Sequence, residues 1–374
     1  MQPLRVALVG FGLIAERGHL PAYLASMRSG GPYRLVAVAD VCAARRALAR
    51  RLVPEAHVYA EHEVLLASEK GAIDVVDIAT PPCDHGAIAS SAIEHGLDVL
   101  CETPLTTSLE SAKELLGHAR RRERIVFPCH DSMFAPVAKS VRRVLDTGRI
   151  GDVRIVTLQA FRHTHARGVG EWRPDWRREY GVAGGGIAMD EGSASFFLAF
   201  DWMSAYPSAV SAMTSALGGG DTEDNVTCTM RFPGGRVASA YLSWTAGMNR
   251  VLCTIHGERG AVRVEGDEVE VVTRKIGRDG AVLWETEAAC VGSGWMDASH
   301  ATWFRSVLDE LADAIARRDV RNLRADDAFR CIEVIDASYR SARIGGREVP
   351  LCGELRADRP GGEPAPPPLI GGAA

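Results

Sequence analysis

The chain has 374 residues, 46% of them hydrophobic and 24% charged, a composition that excludes a disordered or fibrous protein and leaves room for two cores. A net charge of −5 with no broad basic stripe excludes nucleic acid as the expected partner. No apolar run reaches the ~20 residues that span a bilayer, no leader-like stretch opens the chain, and 9 cysteines are scattered without zinc-type spacing, so a cytoplasmic protein with reduced thiols, no membrane contact and no metal is expected.

Residues 4–130 alternate strand and helix patterns. Leu4–Val9 reads as a buried strand, followed by a Gly-rich turn and a helix to about Met27. Arg34–Ala39 is a second strand, ending at Asp40, with a helix over Ala43–Leu52. Val75–Ala79 and Val99–Cys101 are short strands, each leading into a helix, and Ile125–Cys129 closes the series. Such apolar runs between helices predict a parallel sheet covered on both faces. The cluster Arg120-Arg121-Arg122 reads as a solvated helix end, where cations offset the dipole.

The pattern changes near Pro136. A helix (Val137–Asp146) and a strand (Val153–Phe161) lead into a loop over 162–183 and a helix over 190–202. Alternating segments then run over 209–217, 226–232, 237–244, 251–257, 262–265 and 268–273, and helices follow at about 300–317 and 325–343. Alternation with close turns predicts an open, mostly antiparallel sheet. The Pro, Gly and Ala stretch 357–374 is expected to be a loose tail. The fold class is therefore α/β, with a dinucleotide-binding domain over 1–130 and a second α/β domain carrying a large sheet over 131–356.

Gly10-Phe11-Gly12-Leu13-Ile14-Ala15 sits between the first strand and the first helix. That context gives the motif its meaning. Gly10 permits the tight turn, Gly12 lets backbone approach a pyrophosphate, and Ala15 allows close helix packing. Leu13 and Ile14 open the helix whose free N–H groups would meet the phosphates. Asp40, at the end of the second strand, suits the adenosine ribose hydroxyls and repels a 2′-phosphate, which favours NAD over NADP. Arg45 and Arg46 are expected to face solvent.

Several further motifs in order make the chain, over about 4–352, resemble the Gfo/Idh/MocA oxidoreductase family. They are Thr80-Pro81-Pro82 with His85, Cys101-Glu102-Thr103-Pro104, Phe134-Ala135-Pro136, and Gly184-Gly185-Gly186 through Asp190-Glu191-Gly192. The resemblance implies a Rossmann domain, a nicotinamide cofactor, a sugar, cyclitol or related polyol as small-molecule substrate, and a homodimer or homotetramer built through the second sheet. It places Thr80, Pro81 and His85 beside the cofactor and Glu102 and Thr103 near the nicotinamide ribose, and it permits a cis bond before Pro104.

Two departures matter. Where the family carries a catalytic lysine this chain has Thr103, and where it carries a histidine this chain has Ala194. Losing a general base typically costs ~10²–10⁴-fold in rate. Asp190 remains. Replacement candidates are Glu191, whose pKa a neighbouring carboxylate would raise, and His163 with His165, expected on one face of a strand end. His130, beside Asp131, lies at the ligand-binding edge of the sixth strand. Trp172, Arg173, Trp176 and Arg177 offer a substrate wall of rings and guanidinium groups, with Arg236, Arg250 and His300 as weaker candidates. Three readings follow: an NAD-dependent oxidoreductase with a reassigned proton relay; an NAD-assisted lyase, epimerase or glycosidase without net redox; or a cofactor-independent enzyme or regulatory protein on the same fold.

Overall fold

Short strands that are apolar on both faces need helices above and below, and the first third of the chain supplies them. The computed structural model describes residues 2–292 and 300–351; the 357–374 stretch lies outside the described residues. The chain runs β1 (Leu4–Val9), α1 (Leu20–Arg28), β2 (Tyr33–Ala39), α2 (Ala43–Leu52), β3 (His57–Tyr59), α3 (His62–Ser68), β4 (Val75–Ile78), α4 (Pro82–Glu94), β5 (Asp98–Cys101), α5 (Leu109–Arg121) and β6 (Val126–Pro128). All six strands pair in parallel, in the order β3-β2-β1-β4-β5-β6. The order reverses between β1 and β4, so the strand ends part there around a ligand-sized crevice. Sequence reading missed β3 and α3, because β3 is only 3 residues long and none of them is fully buried. The first helix carries a π-helical turn, Ala15–His19, before α1.

The second part runs α6 (Pro136–Asp146), β7 (Val153–Phe161), α7 (Tyr180–Ala183), α8 (Ile187–Asp190), α9 (Gly192–Met203), β8 (Ala209–Ser215), β9 (Asn225–Arg231), β10 (Val237–Ser243), β11 (Arg250–Gly257), β12 (Gly260–Glu265), β13 (Glu268–Ile276), β14 (Val282–Cys290), α10 (Ala301–Arg317), α11 (Leu323–Arg343) and β15 (Val349–Pro350). The nine-stranded sheet has the order β14-β13-β12-β11-β7-β10-β9-β8-β15, and only β7 with β10 is parallel. β14 is exposed along its whole length, so burial gave it no readable pattern. One face of the sheet packs on α9, whose Phe196, Phe197, Phe200 and Trp202 are at most 2% exposed. The helix expected over 190–202 is two helices, α8 and α9, with Glu191 at the junction.

The last two helices suture the sheets together. In α10, Phe304, Val307, Leu308 and Leu311 form one apolar stripe and join the core around β1 and α1. Each such burial stabilises by about 1.5–3 kcal/mol. Tyr33 Oη donates to the Leu308 carbonyl at 2.6 Å. In α11 one stripe, including Phe329 and Ile332, joins the first sheet, while Cys331, Val334 and Ile335 join the second. A helix with apolar residues on two faces sits between two cores.

Candidate active site

The Gly-rich turn is built as its residues demand. Gly10 has φ +88°, and a Cβ there would stand 2.6 Å from the Ala79 carbonyl oxygen. Only glycine fits this left-handed, close approach. Gly12 is the opposite case: a Cβ there would meet nothing within 4 Å. Its face opens into the cleft, which suits a dinucleotide pyrophosphate drawn close to backbone. Asp40 Oδ2 accepts from Phe11 N–H at 2.6 Å and Oδ1 from Cys42 N–H at 2.7 Å, so the ribose-type acid is locked to the turn. Arg45 corrects the solvent-facing expectation. It is 5% exposed and donates to the Phe11 carbonyl (2.6 Å) and to Glu16 (2.6 Å), bracing the turn from behind. Arg46 donates to the Asp40 carbonyl at 2.8 Å.

The floor of the cleft carries Thr80, Pro81, His85, Glu102 and Thr103. The peptide bond before Pro104 is cis. His85 is buried, with Nδ1 2.8 Å from the Pro104 carbonyl and Nε2 2.8 Å from the Thr80 carbonyl, tying two loops together. Burial pushes its pKa down against the pull of those carbonyls. Beneath Glu102 lies a group that sequence reasoning missed. His19 is fully buried, with Nδ1 2.9 Å from Asp77 Oδ2 and Nε2 2.8 Å from Glu102 Oε1. Tyr23 Oη also donates to Asp77, at 2.9 Å, and Phe304 stacks on the imidazole at 3.8 Å. Two carboxylates need two donors, so this imidazole is an imidazolium. Burial opposes its charge, yet Asp77 and Glu102 prevail and raise its pKa to about 10. The Glu102 carboxyl, against its own burial, is held below its ordinary range by His19. One signal was readable: Asp77 interrupts the wholly buried strand Val75–Ile78, and a buried carboxylate requires a partner. Cys129 Sγ lies within 4.8 Å of the same His19 and Glu102 atoms, but burial pushes this thiol well up, which keeps it protonated.

Asp190 and Arg177 stand on the cleft wall. Arg177 Nε donates to Asp190 Oδ1 at 2.8 Å, and its guanidinium lies 4.3 Å from the Trp176 ring centroid. Glu191 Oε2 is 3.2 Å from Arg162 Nη2. Burial raises the Glu191 pKa to about 7; Arg162 opposes the rise and Asp190 adds to it. Glu223, also missed in the sequence, holds this segment: its carboxylate accepts from Gly186 N–H (2.9 Å), Ala188 N–H (3.0 Å) and Tyr339 Oη (2.9 Å). A Cβ on Gly186 would stand 1.7 Å from the Glu223 carbonyl oxygen, so glycine is obligatory there.

Trp172 and Trp176 also line the cleft, but Arg173, His130, His163, His165 and Glu191 are not among the described residues that line it. β7 ends at Phe161, so His163 and His165 do not alternate on a strand as expected. His163 is exposed and bonds Asn249 Oδ1 at 2.9 Å. His165 is 7% exposed, accepts from Arg178 Nε at Nδ1 (2.9 Å) and meets Asp175 Oδ1 at Nε2 (3.0 Å), so both nitrogens are committed. His130 is buried and stacks on Phe197 at 4.4 Å. Arg173 pairs with Glu179 at 2.9 Å. Of the weaker candidates, Arg236 donates to the Met203 carbonyl at 2.8 Å, Arg250 lies 3.9 Å from Glu265, and His300 stacks on Trp303 at 3.7 Å.

The cleft has a volume of about 570 Å³ and runs from Asp40 and the Gly-rich turn to Thr103 and Asp190. This sheet order, turn and cleft define a two-domain protein with a dinucleotide-binding Rossmann fold. Residues 4–130 match a family model described as "Oxidoreductase family, NAD-binding Rossmann fold", and residues 138–263 match the "GFO/IDH/MocA C-terminal domain". The chain belongs to the GFO/IDH/MocA family. It is 28% identical over 190 residues to D-glucoside 3-dehydrogenase of Escherichia coli (strain K12), covering 51% of each chain. To trans-1,2-dihydrobenzene-1,2-diol dehydrogenase of Bos taurus it is 26% identical over 265 residues, covering 70% of this chain and 74% of that one. The matched region spans about half the length of the first curated relatives. Levoglucosan dehydrogenase in complex with NADH shares the fold, with a TM-score of 0.79 at 21% identity over 94% of this chain and 100% of that one.

Proposed function

We propose that the protein is an NAD-dependent oxidoreductase of a sugar-like or other polyhydroxylated metabolite, with its proton relay moved onto Asp190 and Glu191. The observation that carries this reading is that one cleft holds both the dinucleotide-type turn and Asp190. Bound NAD would supply a hydride acceptor. Gly10, Gly12 and Asp40 would hold it, with Thr80, His85 and Glu102 along the floor. The chain's own residues do the rest. Arg177 orients the Asp190 carboxylate, which accepts the substrate hydroxyl hydrogen bond. Glu191, with a pKa near 7, is the sink for the proton. Thr103 is uncharged and cannot take the lysine's part. Relatives named for D-glucosides and 1,5-anhydro-D-fructose support a carbohydrate-like substrate.

The open face of the large sheet supports assembly into a homodimer or homotetramer. Met213, Thr227, Tyr241 and Gln159 stand side by side across β8, β9, β10 and β7, and Met213 and Tyr241 are 65% and 42% exposed. The functional test is to denature purified protein, identify released NAD(H) by mass spectrometry, titrate NAD and NADP into the emptied protein, and screen polyols for NADH formation. NAD binding with turnover is expected. No binding of either dinucleotide at millimolar concentration refutes the reading, and product without net NADH redirects it to transient-redox chemistry.

A further inference from the structure

The roof over the cleft comes from the second part of the chain. After β7 the backbone crosses back to the first sheet, and Arg167, Val169 and Trp172 enter the wall that also holds Asp40, Val41 and Cys42. At the crossing, Cys42 Sγ lies 3.8 Å from the Glu171 carbonyl oxygen. Cys42 also donates its backbone N–H to Asp40, so the crossing falls at the ribose acid rather than at Asp190.

This strap is firmly built. Gly168 N–H donates to the Pro174 carbonyl at 2.7 Å, Trp172 N–H to the Val169 carbonyl at 3.2 Å, and Arg177 Nη1 to the Ala166 carbonyl at 3.2 Å. Arg167 pairs with Asp175 at 3.1 Å. A Cβ on Gly168 would stand 2.9 Å from the Trp176 ring, so the strap rests directly on that indole. The Arg173 guanidinium lies 5.7 Å from the Trp172 ring centroid. The result is a braced backbone that carries an aromatic side chain with a cationic neighbour, lining the same cleft as the residues that follow β2.

We propose that Trp172 is a cofactor residue rather than part of the substrate wall: its indole covers the adenosine half of the bound dinucleotide. This rests on the reading of the cleft as an NAD site. Purine rings present a flat, polarisable face to an indole, and alanine substitution at such stacks typically weakens binding ~5- to 150-fold.

The test uses the full-length protein. NADH dissociation is followed by stopped-flow fluorescence, and the affinities of ADP-ribose and nicotinamide mononucleotide are measured separately. Trp172→Ala is expected to speed NADH release ~10-fold or more and to weaken ADP-ribose by a similar factor. Nicotinamide mononucleotide affinity should not change, and Trp172→Phe should recover most of the loss. Thermal melts of the cofactor-free variants establish that both are folded. Unchanged NADH release and ADP-ribose affinity in Trp172→Ala overturn the proposal, and a raised substrate KM alone returns Trp172 to the substrate wall. If the wild-type protein binds neither NADH nor ADP-ribose, the NAD reading itself has failed.

Discussion

Two neighbouring glycines should respond to the same substitution in opposite ways. Gly10→Ala forces an L residue into φ +88° and sets its Cβ 2.6 Å from a backbone carbonyl that cannot rotate away. The left-handed conformation costs about 1–2 kcal/mol, and overpacking against fixed atoms adds about 1–3 kcal/mol. A loss of about 2–5 kcal/mol of stability in the cofactor-free protein is the expected sum. Gly12→Ala meets nothing within 4 Å, so the empty protein should melt as the wild type does. The added methyl instead fills the space in which a pyrophosphate approaches the turn. Losing two backbone hydrogen bonds to a charged group, at about 1.5 kcal/mol each, weakens NAD binding by ~10²-fold. Urea unfolding without cofactor and calorimetric titration with NAD separate the two effects. Wild-type NAD affinity in Gly12→Ala would refute the placement of the pyrophosphate, and wild-type stability in Gly10→Ala would refute the close-approach argument.

The buried triad gives a pH signature. His19 has a folded pKa of about 10 against 6.5 unfolded, so its contribution is complete below pH 6.5 and is lost as pH rises through about 10. His19→Gln should cost about 3–5 kcal/mol near pH 6.5, because two carboxylates lose their shared cation; its stability should also fall less steeply than wild type between pH 6.5 and 10, and an unchanged slope in urea titrations sinks this account. For Glu191, alcohol oxidation should rise with pH through about 7 as the carboxyl deprotonates. Glu191→Gln should lose that limb and ~10²–10⁴-fold in kcat, and a pH–rate profile that keeps the limb assigns the proton elsewhere. Glu223→Ala frees the Gly186 and Ala188 amides, so kcat should fall while the Kd for NAD stays constant; a matching loss of NAD affinity would contradict a role confined to the Asp190 segment. Asp40→Asn removes the charge facing a 2′-phosphate and should narrow the preference for NAD over NADP, measured as the ratio of their Kd values.

Much of the first domain was legible because local chemistry imposes it. Gly10 needs positive φ, a strand such as Leu4–Val9 needs burial on both faces, and Asp40 ends the second strand wherever that strand lies. The structure has Asp190 on the cleft wall and a cis bond before Pro104, which the sequence only permitted. The exposed strand Val282–Cys290 and the short His57–Tyr59 were not legible, since an edge strand carries no burial pattern.

Pairings between distant side chains were invisible for a different reason: they depend on which helix covers which strand. His19 reaches Asp77 and Glu102 only because the turn after β1 lies across β4 and β5, and Phe304 closes over it from α10, far along the chain. The spacing of His163 and His165 suggested a shared face, but the strand ends before them and the loop turns one outward and one inward. The strap that carries Trp172 meets the first sheet at Cys42, a crossing between residues far apart in the chain that no sequence pattern shows. Sequence by itself therefore determined the dinucleotide turn and the two sheets, because each is a property of residues close in the chain. Tertiary structure alone decided the buried imidazolium, the clamp of Glu223 and the roof over the cleft, because burial and charge pairing are set by surfaces that meet only after the chain has folded.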